Sequence, residues 1–439
     1  MELVHLGVIS EQDAEDAVTT EFQGCRSAFD NGYERFSKDV LNLGVSPFIL
    51  IERVAARFKS LGGTVIEQTP LRGIVVSELN GAALDLGNGR KQPITTRLVI
   101  DSMGNASPIT RQQRYGVKPD GICAVVGTCA GGYDKETNVI GDIIYTNSQI
   151  TDKQENGKMQ YFWEAFPVGI GRNGKQPGTS DVKTTYMFTY MDADANRPSL
   201  ESFMEDYWDQ LPQYQPSIKD PEHDLDVQRV LFAFFPTYKD SPLKPQWSRI
   251  LAVGDASGVQ SPLSFGGFGA LTRHLGRLSS AISEALENDC LHKDDLGHIN
   301  AYMPNLGAAW IFQNAMSVRM GQNVDPKFVN NFLASNFKKM DKLGPLDGLA
   351  GGVDPFFLPQ IANHVGMATT VDYLGHVGMM NLYSALDGLS PTIQPYVNKM
   401  TDPRTKFQWK RKMEAWKIGS GKDYSTTSRK SISIDNENK

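Results

Sequence analysis

The chain has 439 residues, 40% hydrophobic and 21% charged, with a formal net charge of −6. That length suits two domains, or one nucleotide-binding domain carrying an inserted one, and the acidic balance argues against a nucleic-acid partner, which favours a basic surface. Four scattered cysteines (Cys25, Cys123, Cys129, Cys290) do not make a disulfide framework, and Pro, Gly or charged residues interrupt every apolar run short of the roughly 18 residues a membrane span needs.

Residues 1–12 contain acids and no basic n-region, which predicts neither a signal nor a transit peptide. The segment 2–9 reads as the end of a helix entered midway. Residues 21–37 are polar, contain glycine and lack an apolar period, so a surface loop is expected. Ser46 then supplies an N-cap and Pro47 a first helical position. The apolar face Phe48, Ile49, Ile51, Val54, Ala55 and Phe58 follows at three- and four-residue steps, up to a stop at Gly62-Gly63. Residues 64–67, 71–77 and 82–86 are short alternating runs of a strand meander. A strand over 94–100 runs directly into Asp101-Ser102-Met103-Gly104-Asn105-Ala106-Ser107-Pro108. Taken alone, that string is a strand closing in an Asx-type turn.

From 121 to 235 the chain turns β-rich and aromatic. Strands are expected over 121–129, 139–145, 159–166, 184–191 and 227–235, with one helix over 199–211 capped by Ser199. Their spacing predicts a largely antiparallel sheet with helix on a face. Cys123 and Cys129 lie six apart, too far for a CxxC pair, and read as buried thiols. In Tyr161-Phe162-Trp163-Glu164-Ala165-Phe166-Pro167 a single carboxylate stands among apolar groups. If buried, Glu164 titrates high and suits a general acid; strand alternation equally allows it to face outward while Tyr161, Trp163 and Ala165 face in. The aromatics of 231–236 read as packing.

The most informative stretch follows. An apolar strand over 247–253 ends at Gly254-Asp255, and Ser261-Pro262-Leu263-Ser264-Phe265-Gly266-Gly267-Phe268-Gly269 opens a helix over 267–288. This places one carboxylate and several free backbone N–H groups at a strand's carboxyl end, where α/β sheets bind ligands. A lone Gly-Asp would be only a capped turn. Residues 294–417 carry helical periods with Gly and Pro breaks, and their Met and aromatic stripes suit core, an apolar substrate or membrane-surface contact. Residues 419–439 have almost no apolar side chains and read as disordered. The seven histidines show no metal-ligand spacing, so no metal site is expected.

The Gly254–Gly269 string resembles the second flavin motif of FAD-dependent oxidoreductases, the group that includes aromatic hydroxylases, geranylgeranyl reductases and lycopene cyclases. The resemblance implies that Asp255 hydrogen-bonds the ribityl chain and that Gly254, Pro262, Gly266, Gly267 and Gly269 pass beside the flavin ring. The Asp101–Ser107 string is similar to the motif between the two flavin-binding halves, which implies that Asp101 and Gly104 lie near the dinucleotide. Met103 stands where hydroxylases carry Asp, and Arg111 falls one residue late; the reductase and cyclase branches vary at those places, so both departures point away from the hydroxylase branch. Tyr161–Pro167 looks like a loose version of an acidic segment of lycopene cyclases, which makes Glu164 the candidate catalytic acid. No Gly-x-Gly-x-x-Gly occurs in residues 1–119, where the cofactor domain would open, and N-terminal truncation of the first βαβ unit is the expectation that accounts for that.

The fold class so implied is α/β, a partial FAD-binding Rossmann-type domain (residues 1–119 and 236–290) with an inserted, mainly antiparallel substrate domain (120–235). A helical region (291–418) and the tail complete it. The implied function is an FAD-dependent oxidoreductase acting on an apolar, isoprenoid- or carotenoid-like substrate, with NAD(P)H as a reductant and a plastid as the compartment. Two alternatives stand beside it: an isomerase of the lycopene-cyclase kind with reduced flavin as a non-redox aid and Glu164 as acid, and a non-enzymatic scaffold that has lost FAD binding.

Overall fold

The computed structural model describes residues 2–87, 93–153, 157–169, 180–239, 243–259, 267–300, 304–343 and 358–420. The first stretch forms α1 (Glu2–His5), α2 (Glu11–Ala17), β1 (Val18–Glu21), β2 (Gly24–Ala28), β3 (Glu34–Lys38), β4 (Leu43–Val45), α3 (Pro47–Ser60), β5 (Leu71–Ser77), β6 (Gly81–Leu86), β7 (Ile94–Thr96) and β8 (Val99–Asp101). A 3-10 turn (Gly104–Ala106) and α4 (Pro108–Gln113) lead to β9 (Gly121–Gly131), β10 (Gly141–Tyr145), β11 (Thr151–Lys153), β12 (Gly157–Met159), β13 (Phe162–Pro167) and β14 (Lys183–Met191). Then come α5 (Leu200–Tyr214), α6 (Pro221–Asp224), β15 (Asp226–Thr237), β16 (Ile250–Ala252), a 3-10 turn (Gly254–Ser257) and α7 (Gly267–Glu287). The chain continues through α8 (Lys293–Leu296), α9 (Pro304–Met316), α10 (Phe328–Leu343), α11 (Leu358–Val365), α12 (Met367–Asn398) and α13 (Pro403–Gly419). This is a mixed α/β fold with a many-stranded sheet and a helical C-terminal region.

The chain divides into two compact units, residues 1–67, 118–237 and 313–334 in the first and 68–117, 238–312 and 335–439 in the second. The sequence grouped 1–119 with 236–290. Residues 1–67 instead belong with 118–237, because β2 and β3 are strands of the same sheet as β9.

In the first unit a seven-stranded sheet runs in the order β15-β9-β14-β13-β10-β2-β3, antiparallel except for the β10–β2 pair. Residues 21–37 are therefore not a loop. They form a hairpin in which Gly24 to Ala28 pair with Lys38 to Glu34, and Gly32, with φ +81°, turns the corner after Asn31. Asn-Gly is a hairpin signal in its own right, and it outweighs the missing apolar period. On one sheet face Ala124, Val126, Trp163, Ala165, Met187 and Met191 pack against Phe203, Met204, Tyr207 and Leu211 of α5. The helix starts where Ser199 accepts a hydrogen bond from the Ser202 N–H, and its apolar residues recur at helical spacing. Each such side chain buried contributes roughly 1.5–3 kcal/mol. The buried Tyr207 hydroxyl meets Thr128 Oγ1 at 2.7 Å and Thr185 Oγ1 at 2.6 Å, so this apolar layer has no stranded phenol.

In the second unit β5, β6 and β7 form the expected meander, while β8 pairs in parallel with β16, Ile250 to Val99 and Ala252 to Asp101. The run 94–100 thus serves two sheets and cannot be one strand; it breaks at Arg97-Leu98. The strand expected over 247–253 shrinks to three residues because Arg249 adopts φ +61°. Its guanidinium donates to the carbonyls of Glu78 and Arg97. Leu251 of β16 is buried with Leu278, Ala281 and Ala285 of α7 and Phe407 of α13.

Two further expectations change. The opening helix stops at His5, with Gly7 at φ +67°, and α2 begins afresh at a capping box between Ser10 and Asp13. Residues 64–67 pair with no strand among the described residues and leave Val65 and Ile66 exposed. Residues 421–439, including nearly all of the tail expected to be disordered, lie outside the described residues. Among those described, no helix is long and apolar enough to cross a membrane.

Candidate functional site

Parallel pairing of β8 with β16 brings the two sequence strings together, since both strands end at the same edge. Val253 N–H donates to the Asp101 carbonyl at 2.9 Å, and Thr110 Oγ1 donates to the Ala256 carbonyl at 2.8 Å. The chain after Asp101 is thereby tied to the chain after Ala252. Ligand sites in open α/β sheets form outside such strand ends.

The two acidic residues at this edge differ in what they have left to offer. Asp101 is buried, and its carboxylate accepts from the Met103 N–H at 3.0 Å and the Ser107 hydroxyl at 2.5 Å. Ser107 in turn caps α4. This is the Asx-type turn the sequence allowed, and it commits the Asp101 side chain to shaping the loop. Gly104 turns the chain at φ +70°, with open space where a Cβ would stand. Asp255 is exposed, and its carboxylate has no hydrogen-bond or ion-pair partner among the described residues. The surrounding protein, by desolvating it, still holds that carboxyl above the usual range.

Asp255 stands in the turn Gly254–Ser257, which closes when Ser257 Oγ donates to the Gly254 carbonyl at 2.7 Å. Gly254 (φ +60°) and Gly258 (φ +81°) take the left-handed conformations that this reversal demands. A Cβ added to Gly267 would come 3.4 Å from Asp255 Oδ1. The free carboxylate therefore lies beside the first residue of α7, a 21-residue helix whose leading N–H groups carry partial positive charge. Gly269, two residues further on, is exposed, with open space where a Cβ would stand. Pro262 and Gly266 lie outside the described residues.

A flavin nucleotide needs acceptors for its ribityl hydroxyls, bare backbone beside its ring, and a glycine cradle for its pyrophosphate. The first two needs are met by Asp255 and by Gly254, Gly267 and Gly269. For the third, the chain has one Gly-x-Gly-x-x-Gly, Gly169-Ile170-Gly171-Arg172-Asn173-Gly174, which follows β13 rather than a strand of the second unit and lies from residue 170 outside the described residues.

Glu164 belongs to the first unit, on the central strand β13. Alternation runs as the sequence suggested, with Trp163 and Ala165 on the α5 face. The opposite face, however, is not solvent: Glu164 is 7% exposed and Phe162, Phe188 and Tyr190 are fully buried. Outward in the pleat is still inward in the protein. Burial alone pushes the Glu164 carboxyl up to about 8, and that carboxyl has no hydrogen-bond partner among the described residues. It is protonated at neutral pH and can donate. Its cross-strand neighbour is Tyr186, which sequence reading did not single out, because nothing local links positions 22 residues apart.

Sequence reading also missed a buried polar cluster on the α5 side. Arg26 pairs with Asp142 at 2.7 Å, Tyr214 donates to Asp142 at 2.7 Å, and Lys183 donates to Gln215 at 3.0 Å. Burial brings the Lys183 amine down to about 8. Its groups lie on β2, β10, β14 and the end of α5, distant in sequence, and no local signal marks them.

No protein-family model and no curated protein sequence matches the chain. Among solved structures it is similar to halogenase PltM in complex with ethyl mercury and mercury, with a TM-score of 0.54 and 12% identity over 94% of this chain and 85% of that one. It is likewise similar to the same halogenase in complex with phloroglucinol and FAD, at a TM-score of 0.52 and 11% identity over 94% and 83%. At such identity the likeness shows a shared fold.

Proposed function

We propose that the chain is a flavin-dependent oxidoreductase of the reductase and cyclase type, acting on an apolar substrate. One observation carries this reading: an unpartnered carboxylate, Asp255, at the carboxyl end of a parallel strand and beside the start of a 21-residue helix. Support comes also from the fold shared with a halogenase solved with FAD. When bound, the flavin supplies two-electron chemistry.

In this reading Asp255 accepts hydrogen bonds from the ribityl hydroxyls, and Gly254, Gly267 and Gly269, with Pro262 and Gly266, let the backbone approach the ring. The N-terminus of α7 stabilises negative charge on it. Asp101 holds its own turn and Gly104 keeps the neighbouring backbone bare. Substrate lies against the face of the seven-stranded sheet that bears Glu164, whose protonated carboxyl is a hydrogen-bond donor there.

FAD titration followed by the flavin band at about 450 nm tests the assignment. Asp255→Ala is expected to weaken binding by ~10-fold or more, the usual cost of a charge-assisted hydrogen bond. Unchanged affinity removes the basis for the site. No flavin band at any FAD concentration favours the scaffold reading.

The raised Glu164 carboxyl supports one other reading, an isomerase in which that residue protonates a polyene. Product analysis under anaerobic, reducing conditions separates the two. An unchanged double-bond count indicates isomerisation, and a changed count indicates redox chemistry.

A further inference from the structure

The sheet face away from α5 carries polar groups that have no hydrogen-bond partner among the described residues. Register sets Glu164 of β13 opposite Tyr186 of β14, and Tyr186 opposite Gly127 of β9. One step along, Thr184, Cys129 of β9 and Arg229 of β15 make the next row. All share one face because side chains alternate with period two. A Cβ on Gly127 would come 2.9 Å from Tyr186 Cδ1, so the Tyr186 ring lies across the notch that this glycine leaves, directed from β14 toward β15. Burial raises the Tyr186 phenol first; the Glu164 carboxyl raises it further and the Arg229 guanidinium opposes them. The phenol thus stands within the fields of both groups.

None of Glu164, Tyr186 and Arg229 has a hydrogen-bond or ion-pair partner among the described residues. Half of the face is sealed, at Phe162, Phe188, Tyr190 and Cys123. The other half is open: Phe166, Tyr186, Cys129 and Leu231 are half-buried and Arg229 is exposed. An aromatic and aliphatic floor, a neutral carboxyl and one unneutralised guanidinium together describe the complement of a flat anion.

We propose that the open half of this face binds an aromatic carboxylate, its ring against Tyr186 and its carboxylate on the Arg229 guanidinium. A guanidinium matches a carboxylate in plane and spacing, and offset rings prefer contact with a ring to contact with a saturated body. Glu164, being protonated, places no negative charge on this face to repel the ligand. Taking this ligand as the substrate rests on the oxidoreductase reading and replaces its wholly apolar substrate by one that carries a carboxylate; the binding itself does not rest on that reading.

Benzoate is the probe, measured by calorimetric titration of the full chain without flavin, with benzamide and cyclohexanecarboxylate as controls. Benzoate is expected to bind ~10-fold tighter than benzamide and ~3- to 10-fold tighter than cyclohexanecarboxylate. Arg229→Gln, at an exposed position, removes the first preference and Tyr186→Leu the second. Benzoate should also slow modification of Cys129 by an aromatic disulfide reagent at pH 8, since Cys129 is half-buried while Cys25, Cys123 and Cys290 are buried. Equal affinity for all three probes, or a benzoate affinity unmoved by Arg229→Gln, overturns the proposal. Because flavin plays no part in this assay, such a result leaves the Asp255 titration standing, and loss of flavin binding in Asp255→Ala leaves this one standing.

Discussion

Replacing Glu164 by Gln isolates the cost of keeping an acid inside the first unit. The carboxyl is held at about 8 in the folded chain against an ordinary 4.5. The folded state therefore binds this proton more tightly than the unfolded state does. Its contribution to stability is fully present below about pH 4.5 and is lost as pH rises toward about 8. Each unit of pH between those limits costs about 1.4 kcal/mol. By pH 7 the native chain has lost about 3 kcal/mol, and by pH 8 about 5 kcal/mol, as an upper bound. Glutamine keeps the shape and a donor but does not ionise. Urea unfolding of the native chain and Glu164→Gln at pH 5, 6, 7 and 8 should give a stability difference that grows in favour of the variant across the series. A difference that stays flat with pH would show that Glu164 ionises freely in the fold, and both the acid role and the ligand donor role would go with it.

Three other substitutions have worked-out costs. Gly127→Ala puts a methyl 2.2 Å from the Thr185 carbonyl oxygen, and should lower stability by about 2–3 kcal/mol in urea titration. Tyr161→Phe deletes a 2.6 Å hydrogen bond to the buried Asp206, and should cost about 1–3 kcal/mol by the same measure. Ser199→Ala removes the cap of α5 at about 1 kcal/mol, visible as a lower thermal midpoint with the benzoate and flavin titrations unchanged.

The elements legible in the sequence are those whose cues are local. Ser46-Pro47 announces α3, Ser199 announces α5, and alternation with turn residues marks β5, β6, β9 and β14. What escaped depends on partners far along the chain. Parallel pairing of Val99 with Ile250 spans about a third of the chain, so the break at Arg97-Leu98 and the shortening of β16 had no local sign. Alternation told which way Glu164 points, but not that the second face is covered as well. The Gly254-Asp255 string was readable because a strand, a reversal and a helix start are each local, and their order in sequence already sets a carboxylate beside N–H groups. Tyr186 and Arg229 join Glu164 only through register across four strands.

The first unit is sewn from three stretches of chain, and the last of them latches the seven-stranded sheet. Asp30 N–H donates to Asn330 Oδ1 at 2.9 Å, and Asn330 Nδ2 donates to the Ser148 carbonyl at 3.0 Å. During synthesis the β2–β3 hairpin leaves the ribosome long before Asn330 is made. At translation speeds of ~5–20 residues per second, its turn waits some 15 seconds or more for that partner. Over that interval the nascent sheet has an unlatched corner, and chaperones or a slowed ribosome can act on it before the last clasp closes.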